Sequence, residues 1–409
     1  MNVKLREYAK LLIRTGVNLK PGQRLNISTQ VDAAEFARLC AQEAFAAGAA
    51  DVTVKWEDDQ IDRLHYMCGA DEIFDEPDPH SDTYWKGFAE RGDADLRIAA
   101  SDPMALDGVD AERVTRQNRA RRPAKKPVMD RMRADKMQWC VAAYPTKAWA
   151  RRVFPELSTS DALQKLWDAV FATCRINGDG TAPDKWDEKQ KEFERRISLL
   201  NECAFKELHY HSGLGTDLTV GLPNGHFWEG GASLCEGRYI LPNIPTEEVY
   251  TSPHRLRVSG TIAASLPLFL DGTRVDGIRM RLENGKIVEA HAARGEKVLL
   301  NKLSIDIGAR YLGECALVSW DSPIRETGIL FQETLFDENA SCHFAFGNAY
   351  PLVRGAAEMT KEQRLAVGLN VSDTHVDFMV GTDDLSVIGV KEDGTQIPVM
   401  RDGRFVLGD

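Results

Sequence analysis

The chain lacks the features that define several large classes of protein. No run approaches the ~20 consecutive apolar residues that a transmembrane helix requires, and residues 1–16 lack the apolar core of a signal peptide. The eight cysteines form no C-x-x-C pair, so we expect neither a disulfide framework nor a zinc–thiolate site. A net charge of −11 leaves little basic surface for nucleic acid. We therefore expect a cytoplasmic protein that binds neither nucleic acid nor a membrane.

Two common kinds of functional motif are also missing. No G-x-G-x-x-G follows the first predicted strand and no Walker lysine is present, so nucleotide binding has no support. Ser252 and Ser341 lie outside any G-x-S-x-G elbow, which argues against a serine nucleophile. What remains is a chain of 409 residues, 43% hydrophobic and 28% charged. That composition is typical of a globular protein, and the length is sufficient for two domains.

The first half of the chain predicts an α/β domain over residues 1–205. Strands are expected at 24–28, 51–56, 95–100 and 138–143, and helices at 3–16, 32–47, 162–171 and 184–205. A helix between the first two strands favours parallel pairing with a right-handed crossover. We therefore expect an open, mostly parallel sheet in this domain.

A basic segment, residues 112–133, lies between two of these strands and holds seven arginines and two lysines, from Arg113 to Arg133. Pro123 and Pro127 predict that a helix over the first part of the segment ends there and is followed by a loop. The simplest interpretation of the charges is a solvated surface. In the alternative, one or two arginines bind a peptide carboxylate or close a dimer contact. The pattern does not choose between them.

From residue 206 the pattern changes to short alternating runs separated by turns. Asn284-Gly285, between predicted strands at 273–282 and 286–291, is a strong hairpin signal. Asp393-Gly394 lies between two further short runs in the same way. We therefore expect a β-rich α+β domain over residues 206–409.

Acids and histidines in apolar surroundings are concentrated in this second half. On a strand over 374–380, His375 and Asp377 would share one face and Val376 and Phe378 the other. By itself this pattern is equally typical of a strand with one solvated face. Three further islands hold Glu247 and Glu248, Glu314, and Asp337, Glu338 and His343. Because buried carboxylates are costly unless they are paired or bind a metal, the islands predict ligands for two cations. Carboxylate and imidazole suit Zn, Co or Mn.

Four segments, PTEEVYTSP, YLGECALV, DENASCHFAFGNAY and NVSDTHVDFMVGTDDLSVIG, resemble the M29 family of metallo-aminopeptidases, of the thermophilic aminopeptidase T type, in order and spacing. The resemblance covers nearly the whole chain. It implies six metal ligands, namely Glu248, Glu314, Glu338, His343, His375 and Asp377. It also implies that Tyr350 lies in the active site close to the metals, and that the protein is a homodimer that acts on short peptides. The family pattern usually has Phe where this chain has Tyr250, a difference without chemical consequence.

Three functions are consistent with these residues. The first is a two-metal aminopeptidase in which metal-activated water attacks the peptide bond, Glu314 bridges the ions and Tyr350 binds the oxyanion or a metal. Glu247, chosen for its place beside Glu248, would accept the water's proton. The second is a mononuclear non-haem oxygenase, which needs a histidine downstream of His375 that the chain lacks. The third is an inactive, metal-stabilised peptide-binding protein, but structural sites are rich in Cys and His rather than carboxylate. We expect the aminopeptidase.

Overall fold

The structure is a computed structural model that describes residues 1–102, 104–270 and 273–408. Its Cα positions fall into two compact units. The first consists of Met1–Asp187 and Ala232–Pro245, and the second of Glu188–Gly231 and Thr246–Asp409. The predicted domains, 1–205 and 206–409, stay a prediction about folding units. None of the helices among the described residues combines the length and apolar character that a bilayer crossing requires.

The elements are numbered in chain order. The helices are α1 (Asn2–Leu11), α2 (Ala34–Ala46), α3 (Asp59–Cys68), α4 (Pro79–Arg91), α5 (Ala111–Arg133), α6 (Lys147–Val153), α7 (Thr159–Thr173), α8 (Ala182–Cys203), α9 (Glu296–Lys302), α10 (Pro323–Glu326), α11 (Thr334–Asp337) and α12 (Lys361–Ala366). The strands are β1 (Arg24–Gln30), β2 (Asp51–Glu57), β3 (Ala94–Ala99), β4 (Trp139–Ala143), β5 (Glu207–His211), β6 (Asp217–Gly221), β7 (Glu229–Gly230), β8 (Ser233–Cys235), β9 (Arg238–Ile240), β10 (Asn243–Ile244), β11 (Glu248–Thr251), β12 (Val258–Ala263), β13 (Leu268–Leu270), β14 (Thr273–Val275), β15 (Arg279–Glu283), β16 (Lys286–His291), β17 (Leu312–Val318), β18 (His343–Gly347), β19 (His375–Met379), β20 (Ser386–Val390), β21 (Gln396–Arg401) and β22 (Arg404–Phe405).

The first unit contains a parallel sheet of order β10-β4-β3-β1-β2. Leu25, Ile27, Leu96 and Ile98 alternate along its two central strands and are buried. The order places β2 on one side of β1 and β3 on the other, so the crossovers change direction at β1. This architecture confirms the predicted open α/β fold of the N-terminal part. The short edge strand β10 comes from much later in the chain and pairs with β4.

The basic segment forms one continuous helix, α5, and the predicted break at its prolines is wrong. Pro123 and Pro127 are exposed and lie four residues apart on one side of the helix. Ala124 and Val128 are buried and pack in a small apolar cluster with Trp85 of α4. Packing of this face therefore outweighs the backbone hydrogen bonds that the two prolines remove.

Several cations of α5 bind acids within their own unit. Arg116 makes ion pairs with Asp71 at 2.9 Å and with Asp75 at 2.6 Å, and Arg113 lies 3.4 Å from Asp71. These pairs join α5 to the short turn that follows α3. The side chain of Arg133 lies outside the described residues. The arginines with described partners thus support local structure, in keeping with the simpler interpretation of the segment.

The second unit has two large antiparallel sheets, of orders β16-β15-β12-β6-β5-β20-β21-β22 and β19-β18-β17-β11-β7, and the small antiparallel pair β13-β14. They confirm the predicted β-rich character of the C-terminal part. The hairpin at Asn284-Gly285 joins β15 to β16, with positive φ at both turn residues. The single strand predicted at 273–282 is wrong, since the chain forms β14 and β15 there. Gly277, at a φ of 63°, turns the chain between them.

Candidate metal centre

The five-stranded sheet separates apolar from chelating side chains by simple alternation. Val249, Cys315, Phe344 and Phe378 belong to the large apolar core of the second unit. The residues that alternate with them along each strand therefore face the other side of the sheet. That side carries the candidate ligands Glu248 on β11, Glu314 on β17, His343 on β18, and His375 and Asp377 on β19.

Small residues leave room between the ligands on this face. Ala345 of β18 pairs with Glu314 on one side and with Asp377 on the other, so two carboxylates flank one methyl group. Ala316 of β17 pairs with His343 on one side and with Tyr250 on the other. Directly opposed side chains in an antiparallel pair lie about 5 Å apart. The register thus gathers the chelating groups over two alanines.

A bulge in β17 directs Glu314 to this face. Leu312 pairs with Phe346 and Glu314 with Ala345, so β17 advances two residues where β18 advances one. In a regular strand Leu312 and Glu314 would share a face, whereas the extra residue, Gly313, lets Leu312 stay in the core. A Cβ at Gly313 would lie 2.4 Å from the carbonyl oxygen of Asn348, so only glycine fits there.

The candidate ligands form two groups that share Glu314. Glu248, Glu314 and His343 make one, and Glu314, His375 and Asp377 the other; in each, one donor atom per residue lies within 4.8 Å of the others. His343 Nε2 is 3.1 Å from Glu248 Oε2 and 4.0 Å from Glu314 Oε1. His375 Nε2 is 3.1 Å from Glu314 Oε2 and 3.3 Å from Asp377 Oδ1. One carboxylate therefore presents one oxygen to each group.

Both imidazoles are oriented through their other nitrogen. His375 Nδ1 lies 2.7 Å from the carbonyl oxygen of Asn348, and His343 Nδ1 lies 3.3 Å from that of Ser341. Because a carbonyl only accepts, each Nδ1 donates its proton, so Nε2 is the nitrogen that faces the carboxylates and could coordinate a cation. This is the usual support for a metal-binding histidine.

Two oxygen atoms show that the residues fit a cation. Glu248 Oε2 and Asp377 Oδ1 are buried and have no hydrogen-bond partner, although each lies close to an imidazole nitrogen. A buried carboxylate oxygen without a donor is costly, and a divalent cation relieves that cost. Together with the imidazole nitrogens, these oxygens form the mixed donor set that Zn, Co and Mn accept.

The side chains perturb one another strongly. Burial raises the pKa of Glu314, and repulsion by Asp377 adds to that shift. Burial and four neighbouring carboxylates raise the pKa of Glu338 well above its usual range. Burial alone would lower the pKa of His343, but Glu248 and Glu314 outweigh it and raise the pKa to about 9. The raised pKa values favour the protonated forms of these side chains, and bound cations would displace those protons.

Glu338 reaches the cluster from a helical turn rather than from the sheet. It directly follows α11 in the turn Glu338–Ala340. Its carboxylate interacts electrostatically with those of Asp377 and Glu248. Asn339 Nδ2 donates to Glu338 Oε1 at 3.4 Å. The structure therefore brings all six predicted ligands into one region.

Tyr350 lies at the open side of the cluster. Its ring centroid is 5.3 Å from that of His375 in an edge-on arrangement and 5.6 Å from that of Tyr250. The residue is 43% exposed, and Ser252 Oγ donates to its carbonyl oxygen at 2.9 Å. Desolvation of the phenol, followed by the charges of Glu314 and nearby acids, raises its pKa well above the usual value, so it is a hydrogen-bond donor at neutral pH.

Glu247, the predicted proton acceptor, is buried and makes an ion pair of 2.9 Å with Lys189 on α8. Lys189 also contacts Glu192 at 3.1 Å. The backbone N–H of Glu247 donates to Asn339 Oδ1 at 2.7 Å. Glu247 is thus a charged side chain held beside Glu248, outside the two groups that share Glu314.

The sequence patterns did not identify the residues that hold the candidate ligands in place. Asn339 was visible inside the segment DENASCH, but nothing in the pattern separated it from an ordinary turn residue. The carbonyl groups of Ser341 and Asn348, which orient the two histidines, carry no side-chain signal. Such supports become apparent only once the strands are paired.

Comparison with known proteins agrees with this geometry. The family model described as thermophilic metalloprotease (M29) matches residues 1–405. Aminopeptidase PepS of Streptococcus thermophilus is 41% identical over 406 residues, 98% of each chain. The structure of wild-type AmpT from Thermus thermophilus is 40% identical, with a TM-score of 0.91, over 98% of this chain and 99% of that one.

A more distant structure shares the fold alone. It is 2,5-dihydroxypyridine dioxygenase from Pseudomonas putida, 12% identical, with a TM-score of 0.56, covering 100% of this chain and 97% of that one. The family model and the relatives at about 40% identity span nearly the whole chain and confirm the resemblance seen in its four motifs. The chain belongs to the M29 family of thermophilic metalloproteases.

Proposed function

We propose that this metallo-aminopeptidase releases N-terminal amino acids from short peptides, and that its two ligand groups, which share Glu314, would hold two divalent ions. The observation that carries the proposal is the pair of ligand groups, one buried and one partly buried, that have Glu314 in common. Glu248 and His343 would complete one ion's ligands, and His375 and Asp377 the other's, with Glu338 closing the set. Two adjacent ions of Zn, Co or Mn would supply a water nucleophile that is ionised near neutral pH and would polarise the scissile carbonyl.

The remaining side chains have defined tasks in this proposal. Glu247, fixed by Lys189, accepts the proton of the attacking water and returns it to the leaving amine. Tyr350 donates a hydrogen bond to the oxyanion of the tetrahedral intermediate, and its ring lies beside that of His375, one of the proposed metal ligands. The free α-amino group of the peptide would be recognised by an acid or a metal of the same cluster.

Two other functions fit the observations less well. A mononuclear oxygenase would use one facial triad, whereas the ligands here form two groups. The distant dioxygenase shares only the fold, which does not carry a function. An inactive peptide-binding protein would have no need for two buried carboxylate oxygens without hydrogen bonds.

Hydrolysis of a leucyl aryl amide tests the proposal. The purified protein is assayed after chelation and again with Zn, Co or Mn restored, with the N-acetylated substrate as the matched control. We expect metal-dependent release from the free amine and none from the blocked one. Activity that survives chelation, or its absence with every metal although ions bind, would reject the proposed hydrolysis.

We also propose that the protein is a cytoplasmic homodimer, as the family resemblance and the cysteine pattern suggested. The eight cysteines carry free thiols and most are buried, which suits a reducing compartment. Light scattering coupled to size-exclusion chromatography gives the mass directly, and a value of one chain would exclude the dimer.

A further inference from the structure

Asn339 is buried completely, and both ends of its side-chain amide are used. Its Oδ1 accepts from the backbone N–H of Glu247 at 2.7 Å. Its Nδ2 donates to the carbonyl of Leu335 at 3.0 Å and to Glu338 Oε1 at 3.4 Å. A reversed amide would set a donor against the N–H of Glu247, so the network determines this orientation.

These bonds connect two segments that are distant in sequence and that each carry a candidate ligand. Glu247 immediately precedes Glu248 of β11, whereas Glu338 lies in the turn after α11. The sheet register aligns Glu248 with the other strands but places no restraint on Glu338, which belongs to none of them. The amide of Asn339 is thus a direct link between the turn and the sheet.

A third segment fixes the backbone of Asn339 itself. Ser322 Oγ donates to its carbonyl oxygen at 2.7 Å and also caps α10 by accepting from the N–H of Ile324. Hydrogen bonds therefore hold both the backbone and the side chain of Asn339.

We propose that Asn339 is a positioning residue that holds Glu338 and Glu248 at the separation the two-metal centre requires. The assignment rests on the proposed function, since it concerns the same centre. Asn339 touches neither substrate nor reacting atoms and acts through the carboxylates. Residues that orient metal ligands typically contribute about 10–100-fold to metal affinity.

Binding of Zn²⁺ and Co²⁺ to the chelated protein tests the assignment, measured by calorimetric titration and by the visible spectrum of bound Co²⁺. Asn339→Ala removes both functions of the amide. Asn339→Asp keeps an acceptor for the N–H of Glu247 but sets a negative charge against Glu338. The matched control is Thr216→Val, which removes another buried polar side chain of the second unit, whose hydroxyl donates to the carbonyl of Ala263 and accepts from its N–H.

We expect both Asn339 variants to raise the Kd of at least one ion about 10–100-fold and to alter the Co²⁺ spectrum. Thr216→Val should lower the melting temperature while leaving the Kd of both ions unchanged. Variants of Asn339 that bind both ions like the wild type, or an equal loss of affinity in Thr216→Val, would overturn the assignment while leaving the proposed function intact. A wild-type protein that binds no ion would overturn both.

Discussion

At the residue scale, the proposed two-metal chemistry depends on one carboxylate with two sets of neighbours. Glu314 is the member common to both ligand groups, with one oxygen near His343 and the other near His375. Its place in an apolar run of the sequence predicted a ligand, because an unpaired buried acid is costly. The predicted pairing of His375 with Asp377 on one strand face agrees with the structure, in which their side chains are 3.3 Å apart.

Tyr350→Phe separates binding of the oxyanion from binding of a metal. If the hydroxyl donates to the oxyanion, we expect kcat to fall about 10²–10³-fold, the usual cost of one such donor. The Kd values of the two ions should not change, because the six proposed ligands remain. Steady-state kinetics and metal titration on the same preparation check both expectations.

The matched control for this variant is Tyr250→Phe, which removes the hydroxyl of the neighbouring ring 5.6 Å away. It also restores the residue that the family usually has, so we expect near wild-type activity. A Tyr350→Phe enzyme with undiminished kcat would remove Tyr350 from the mechanism, and a raised metal Kd would make it a ligand instead.

At the scale of elements, the bulge at Gly313 affects the positions of two candidate ligands, Glu314 and His375. The bulge turns Glu314 away from the core. Gly313 itself packs against the carbonyl of Asn348, which orients His375. The sequence YLGECALV contains this glycine, yet its alternation alone places Leu312 and Glu314 on one face. Strand pairing, which depends on residues far along the chain, determines where the extra residue is inserted.

Gly313→Ala tests the role of the bulge. The new Cβ would meet two backbone oxygens, of Gly347 and Asn348, at 2.5 Å and 2.4 Å, so the strands must separate. We expect a loss of about 2–3 kcal/mol in the free energy of unfolding from overpacking. Because Glu314 and His375 shift with the bulge, metal affinity should fall as well. Urea unfolding and metal titration measure the two effects.

Gly87→Ala in α4 is the control for Gly313→Ala, since a Cβ there meets only the end of the Arg91 side chain. Alanine is favoured over glycine inside a helix, so this variant should be as stable as the wild type or slightly more stable. If Gly313→Ala were also as stable as the wild type, the bulge would accommodate a side chain at this position and would not require glycine.

The parts of the fold that the sequence predicted well are those with strong local patterns. Strands β1 to β4, the Asn284-Gly285 hairpin and α8 fall within a few residues of expectation. The continuous α5 was missed because packing against α4 decides it, and packing is not local. The two-residue strand β10 was missed because so short a run has no period, although its pairing with β4 draws a late segment into the first unit.

At the scale of the whole molecule, the ligands belong to a single unit. Glu248 to Asp377 all lie in the second unit, whereas the parallel sheet of the first contributes none of the six. The boundary falls inside α8, between Asp187 and Glu188, and the chain returns to the first unit for Ala232–Pro245. Stabilisation by metal should therefore act on one unit, provided that the two unfold independently.

Differential scanning calorimetry with and without metal tests this separation. A ligand that binds only the native state at 100 times its Kd adds about 2.7 kcal/mol per site. We expect two transitions, of which only that of the second unit rises with Zn²⁺. Ile27→Val, a buried substitution in β1 that costs about 1 kcal/mol, identifies the transition of the first unit by lowering it alone. A single transition that is shifted both by metal and by Ile27→Val would show that the two units unfold as one cooperative body. Their covalent connections through α8 and Ala232–Pro245 would then be the route of coupling.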